Sequence, residues 1–233
     1  RQALASRLNV DPDQLTLGNG SNDLLVMLAE AFLTARTEAV YSKYAFLIYR
    51  LAVQATGATA REALANGPDH SQPLGHDLME MERRIGPRTR IVFIANPNNP
   101  TGTWLSEQAL RAFMSRVPDH VLVVLDEAYC EYVTFPEYPR TTSWLGEYQN
   151  LVITRTFSKI YGLAGLRIGY AVSSREIADT LNRVRQPFNV NSVGLAAATA
   201  ALGDEAHVVR SREANAAGLR QLEQGLDRLG YSA

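Results

Sequence analysis

VLVVLDEAY, residues 121–129, decides the fold. Five apolar residues, Val121 to Leu125, run without a polar break, the pattern of a strand buried on both faces. Two carboxylates, Asp126 and Glu127, follow at once, with Tyr129 two positions further on. A strand of this kind belongs to a parallel sheet covered by helices, and such sheets bind ligands beyond the carboxyl ends of their strands. The end of this run is therefore where a site is expected to begin.

Similar short runs flank it. EAVYS at 38–42, RIVFIAN at 90–96, LVITRT at 151–156 and RIGYAV at 167–172 read as further strands. Helical periodicity falls between several of them, over Asp23 to Ala35, Ala45 to Thr56, Asp77 to Ile85 and Ser106 to Val117. The last of these opens on a Ser106 cap with Glu107 beside it. This alternation predicts an α/β fold with a mostly parallel sheet flanked by helices. From Ser173 onward the pattern turns helical, with a long amphipathic stretch from about Glu205 to Leu229. The expected organisation is a large sheet domain over 1–185, followed over 186–233 by an interdomain helix and the start of a smaller domain.

Composition narrows the function classes. The chain has 233 residues, 46% hydrophobic and 20% charged, enough to bury a sizeable core. A net charge of -1, with cations scattered among acids, gives no footprint for nucleic acid or an anionic membrane. No apolar run approaches the roughly 20 residues needed to span a bilayer, and a soluble, cytoplasmic protein is the expectation. One cysteine, Cys130, excludes an internal disulfide framework. The histidines, His70, His76, His120 and His207, have no helical ligand spacing, so no metal site is expected.

Polar residues cluster after the strands. Asn96-Pro97-Asn98-Asn99-Pro100-Thr101-Gly102 follows one, Asp126-Glu127-Ala128-Tyr129 a second, and Phe157-Ser158-Lys159 follows Thr156 of a third. Gly18-Asn19-Gly20-Ser21-Asn22-Asp23 precedes the first clear helix. Only two lysines occur, Lys43 and Lys159, so candidates for amine chemistry are few. A loop lysine is ordinarily solvated. Lys159, however, stands between a Thr-Phe-Ser turn and Gly162-Leu163-Ala164-Gly165, where a long side chain can point back into a crevice and form a Schiff base with an aldehyde cofactor.

Its neighbours support that chemistry. Arg167, eight positions on, can reach a phosphate near the lysine. Thr156 and Ser158 add hydroxyls, and the free amides of the helix opening near Ser21 make an anion site. Asp126, at the end of an apolar strand, needs a positive partner to be buried at all, and a protonated pyridine nitrogen would be one. Tyr129 and Asn99 can hydrogen-bond a ring hydroxyl. Taken singly, each has an ordinary structural role: a turn cap for Asp126, a surface ion pair for Arg167, a core position for Tyr129 and an Asx turn for Asn99.

Together the motifs Asn99-Pro100-Thr101-Gly102, Asp126-Glu127-Ala128-Tyr129, Thr156-Phe157-Ser158-Lys159 and Gly165-Leu166-Arg167-Ile168-Gly169, in this order, resemble the class I/II aminotransferases of the aspartate-aminotransferase fold. These are pyridoxal-phosphate-dependent enzymes of fold type I. Gly18 to Asp23, the doubled Asn within Asn96 to Gly102, and Pro187-Phe188-Asn189-Val190-Asn191 bring the likeness nearest to the histidinol-phosphate aminotransferases. The similarity spans nearly the whole chain.

The resemblance implies that Lys159 is the Schiff-base lysine and proton shuttle, that Asp126 pairs with the pyridine nitrogen, and that Asn99 and Tyr129 bond the phenolic oxygen. Ser21, Asn22, Asp23, Thr156, Ser158 and Arg167 would bind the cofactor and its phosphate. Phe46 falls where an aromatic ring stacks on the cofactor, with Tyr44 as competitor. The family often has prolines where this chain has Lys43-Tyr44. It also implies amino-acid and keto-acid substrates, a homodimer, an N-terminal arm that lends a tyrosine to the partner's site, and a C-terminal domain with an arginine for the substrate carboxylate. Neither segment is present, so the chain is expected to be part of a longer protein. An aromatic-amino-acid aminotransferase, a phospho-amino-acid decarboxylase, and a non-catalytic cofactor-sensing domain of a regulator remain alternatives.

Overall fold

In the computed structural model, which describes residues 1–231, one seven-stranded sheet carries helices on both faces. Along the chain the elements are α1 (Gln2–Leu8), β1 (Leu15–Gly18), α2 (Ser21–Phe32), β2 (Glu38–Ser42), α3 (Leu47–Ala55), β3 (Thr59–Ala63), α4 (Leu78–Arg83) and β4 (Thr89–Ala95). There follow α5 (Glu107–Met114), β5 (Leu122–Asp126), β6 (Leu151–Thr156), β7 (Gly169–Ser173), α6 (Arg175–Val184), α7 (Ser192–Ala201) and α8 (Glu205–Arg228). The strand order is β1-β7-β6-β5-β4-β2-β3. Only β7 runs against the rest, pairing antiparallel with both β1 and β6.

The pleat sorts side chains between two cores, because successive strand residues point to opposite faces. Val123 and Leu125 of β5 join Val92, Ile94, Leu151 and Ile153 in a core closed by Met81 of α4 and Leu110 and Phe113 of α5. Leu122 and Val124 join Ile91, Phe93 and Val152 in the other, closed by α2, α3 and α6. Each fully buried Val, Leu or Ile contributes roughly 1.5–3 kcal/mol.

Five strands match the apolar runs read from the sequence, and two do not. β1, only four residues long, sits at one edge, and β3, TAREA, at the other. The composition of β3 favours a helix and three of its five residues are exposed, so nothing local marks it as a strand. Its parallel register with β2, Glu38 opposite Thr59 through Ser42 opposite Ala63, decides the matter. Helix α5 begins where expected, with Ser106 Oγ accepting from the Ala109 amide at 3.2 Å.

At the end of β5 the alternation continues into two buried carboxylates that point to opposite faces. Glu127 is fully buried and accepts two hydrogen bonds from Arg155 of β6, at 2.9 and 2.7 Å, and one from Thr141 at 2.5 Å. This pair ties together the ends of β5 and β6. Replacing Glu127 with Ala is expected to cost on the order of 3–5 kcal/mol, because it strands the Arg155 guanidinium without its partner. Urea unfolding of the variant would measure the loss.

Candidate active site

Asp126 takes the opposite face from Glu127, beneath a cavity at the carboxyl ends of the strands. Its carboxylate is buried, with Oδ2 accepting from the Tyr49 hydroxyl at 2.9 Å and Oδ1 from Thr154 at 3.1 Å. Burial pushes the carboxyl up to about 6; the two hydroxyl donors work against that, Glu127 adds to it, and Lys159 opposes it. A carboxylate held by neutral hydroxyls at the floor of a cavity is a site for a cation.

Lys159 reaches the same cavity from the turn after β6. It is exposed, with Nζ 5.1 Å from the centre of the Tyr129 ring. Tyr129 and Asn99 line the cavity wall, and Phe46, from the residue before α3, lines it from the other side. Tyr44, the alternative aromatic, does not line it: its ring lies under Lys43 at 5.4 Å and its carbonyl accepts from Asn98 at 2.9 Å.

The remaining wall is built for an anion. Helices α4 to α8 each close their first turn with a side-chain acceptor, from Asp77, Ser106, Ser174, Asn191 and Asp204 in turn. Helix α2 opens on Gly20 with no such cap, leaving its first amides free beside Ser21 and Asn22 on the cavity wall. The Arg167 guanidinium lies across this opening, donating to Ser158 Oγ at 3.2 Å and to the Asn19 carbonyl at 3.3 Å. Thr156 Oγ1 accepts from the Ser158 amide at 3.1 Å, which fixes the turn.

Two glycines make room for this cradle. Gly20 has φ +81°, and a Cβ there would lie 2.2 Å from Arg167 Nη2. A Cβ on Gly169 would lie 2.4 Å from the Ser21 amide nitrogen. Arg167 itself is left-handed, at φ 56°, an uncommon conformation for a residue with a side chain and one that recurs at ligand sites.

Besides Tyr44, Asp23 is the one residue expected at the cofactor that does not line the cavity. Its carboxylate accepts from the Asn19 amide at 2.9 Å and from Asn189 Nδ2 at 3.1 Å, so it braces the Gly18 to Asn22 loop from behind. Tyr49, by contrast, is not among the residues that the sequence singles out. Its contact with Asp126 spans 77 positions, and no local signal reveals it. Among the described residues there is no cluster of three metal-ligating side chains and no helix long and apolar enough to cross a membrane.

Comparison with known proteins shows the family. The family model described as aminotransferase class I and II matches residues 1–233. The chain is 54% identical to histidinol-phosphate aminotransferase 2 of Methylococcus capsulatus, over 99% of this chain and 62% of that protein. It is 52% identical to the Pseudomonas aeruginosa protein of the same name, over 100% of this chain and 61% of that one. Among solved structures, the histidinol-phosphate aminotransferase of Sinorhizobium meliloti in complex with pyridoxal-5'-phosphate superimposes with a TM-score of 0.92 at 30% identity, covering 99% of this chain and 61% of that one. The chain thus spans about three fifths of the length of the curated relatives it matches.

The raised carboxyl of Asp126 predicts a pH signature for the ligand-free protein. Between the ordinary value of 3.8 and about 6 the folded state binds more protons than the unfolded one, so stability falls as pH rises through that window. The fall amounts to roughly 3 kcal/mol at most. Asp126→Asn removes it, so unfolding free energies of wild type and variant should coincide near pH 4, separate between pH 4 and about 6 and stay apart above that, with the variant the more stable.

Proposed function

This chain belongs to the class I and II aminotransferases, and from that premise we propose that it binds pyridoxal 5'-phosphate and transfers amino groups, with histidinol phosphate as the specific substrate. One observation carries the cofactor reading: a single cavity lined by the amine of Lys159, the buried carboxylate of Asp126 and the anion cradle of Ser21, Ser158 and Arg167. The donor set fits the group. An anion cradle that a Cβ at Gly20 or Gly169 would fill suits a phosphate, and a buried carboxylate flanked only by hydroxyl donors suits a protonated ring nitrogen.

When bound, pyridoxal 5'-phosphate supplies an aldehyde that captures amines and a protonated ring that accepts the electron pair left on the substrate carbon. The α2 amides, Ser21, Asn22, Thr156, Ser158 and Arg167 would anchor the phosphate. Asp126 would hold the ring nitrogen protonated, Asn99 and Tyr129 would bond the ring hydroxyl, and Phe46 would cover one ring face. Lys159 would hold the aldehyde covalently between turnovers. Once released, its Nζ would be the amine that takes the proton from the substrate carbon and delivers it to the carbon that was the cofactor's aldehyde.

In this reading residues 1–185 form the large cofactor-binding domain, and 186–233 the interdomain helix and the beginning of a smaller one. The working unit is a homodimer in the cytoplasm. Likeness to the histidinol-phosphate aminotransferases supports the substrate. Glutamate and 2-oxoglutarate would form one half-reaction, and histidinol phosphate with imidazole-acetol phosphate the other.

Borohydride reduction of the full-length protein with pyridoxal phosphate should place the label on the peptide containing Lys159; a label on Lys43 instead would refute the assignment. Lys159→Ala should abolish the label and lower turnover by orders of magnitude. Arg167→Ala should weaken cofactor binding by roughly tenfold to a hundredfold through loss of a charge-assisted bond to the phosphate, as read by equilibrium titration. Steady-state assays should give a higher kcat/KM for histidinol phosphate than for phenylalanine or tyrosine; the reverse order would make this an aromatic-amino-acid aminotransferase.

A further inference from the structure

We propose that Tyr49, with Thr154, forms a two-hydroxyl clamp that positions the Asp126 carboxylate for the cofactor's ring nitrogen, so that Tyr49 is a positioning residue although it does not line the cavity. The inference rests on the cofactor reading above. It concerns how Asp126 is kept fit for that partner.

Each carboxylate oxygen receives one hydroxyl, Oδ2 from Tyr49 at 2.9 Å and Oδ1 from Thr154 at 3.1 Å. Two donors on different oxygens, one from α3 and one from β6, fix the carboxylate plane against rotation. They also select its charge. A carboxylate can accept from both hydroxyls at once, whereas a protonated carboxyl sets its own O–H in competition with them.

Tyr49 cannot exchange roles with Asp126. The phenol is completely buried, which holds its proton well above the ordinary range, so within the protein it is a donor. Its aim is set by packing: the ring stacks on Phe93 at 4.9 Å and 6°, and meets Phe46 edge-on at 6.0 Å and 90°. Were Asp126 to turn away, the Tyr49 hydroxyl would be left buried without an acceptor. Phe46 stands at the N-cap of α3 and Tyr49 three residues on in its first turn, so the same helix start presents both a cavity-lining ring and the donor to Asp126.

The groups that bear on Asp126 are few. Tyr49 faces it from α3, Thr154 from β6, Glu127 follows it in the chain, and Lys159 acts on it as the cation. Glu127 is already engaged with Arg155 and Thr141 on the far face. Removing the Tyr49 hydroxyl takes away a hydrogen bond that favours the ionised form, so Asp126 should become neutral at a higher pH. A neutral Asp126 has no charge to offer a pyridinium.

The test compares two ligands on the full-length protein: pyridoxal 5'-phosphate, and its carbocyclic analogue with C–H in place of the ring nitrogen. Phosphate and aldehyde chemistry are common to both, so the ratio of their dissociation constants isolates what Asp126 does for the nitrogen. In wild type the preference for pyridoxal phosphate should decline on the acid side as Asp126 takes up its proton. Tyr49→Phe keeps the ring and its packing, and should move that decline upward by about one pH unit, lowering the preference about fivefold near pH 6. Binding of the analogue should be unchanged.

A decline that stays in place in Tyr49→Phe overturns the clamp. So does an equal loss for both ligands, which is the mark of a purely structural tyrosine. If wild type shows no preference for the ring nitrogen at any pH, the pairing of Asp126 with the cofactor falls, and the clamp with it. Thr154→Val removes the opposite donor and must show the same upward displacement, which keeps the comparison decisive if Tyr49→Phe does not fold.

Discussion

A buried strand that ends in two adjacent carboxylates sets the terms for this molecule. Asp126 and Glu127 are both almost without solvent contact, and the pleat sends them to opposite faces of the sheet. Burying two neighbouring acids is costly unless each finds a partner. Glu127 finds one within the fold, the guanidinium of Arg155. Asp126 finds only the hydroxyls of Tyr49 and Thr154, and burial raises its proton affinity as a result. The first is a closed structural pair; the second faces a cavity and leaves a cation to be supplied from outside the chain.

The rest of the cavity is arranged around that asymmetry. Its anion cradle lies at an uncapped helix start, where backbone amides would otherwise need water or a side chain. The cradle closes only because β1 and β7 pair antiparallel, which sets Gly18 opposite Gly169 and carries the loop after β1 over Arg167. A negative group in the cradle and a positive one on Asp126 would then fall at opposite ends of one ligand, with Lys159 on the same wall. That charge layout, more than any single residue, is why the cavity suits a phosphorylated pyridine aldehyde.

Much of this could be read along the chain. The central strands announce themselves because burial on both faces leaves an unbroken apolar run, and the residues after them stand out as polar. Ser21, Asn22, Phe46, Asn99, Asp126, Tyr129, Thr156, Ser158, Lys159 and Arg167 all line one cavity. The edge strands were not legible: β1 is short, and β3 has a helix former's composition. Asp23 looked like part of the binding loop from its position, yet it supports that loop from behind through Asn19 and Asn189.

By itself, then, the sequence determined the alternating architecture and singled out an acid, an amine and a guanidinium, in that order along the chain, that prove to line one cavity. Those are local properties, set by the period of apolar residues and by which side chains can do amine or phosphate chemistry. Only the tertiary structure decided between Phe46 and Tyr44 as the ring on the cavity wall, separated the buried acid that is paired from the one that is not, and brought Tyr49 onto Asp126 across 77 positions. The physical reason is that hydrogen bonds and burial depend on which elements pack together, and packing between α3 and the far end of β5 leaves no trace in the neighbours of either residue.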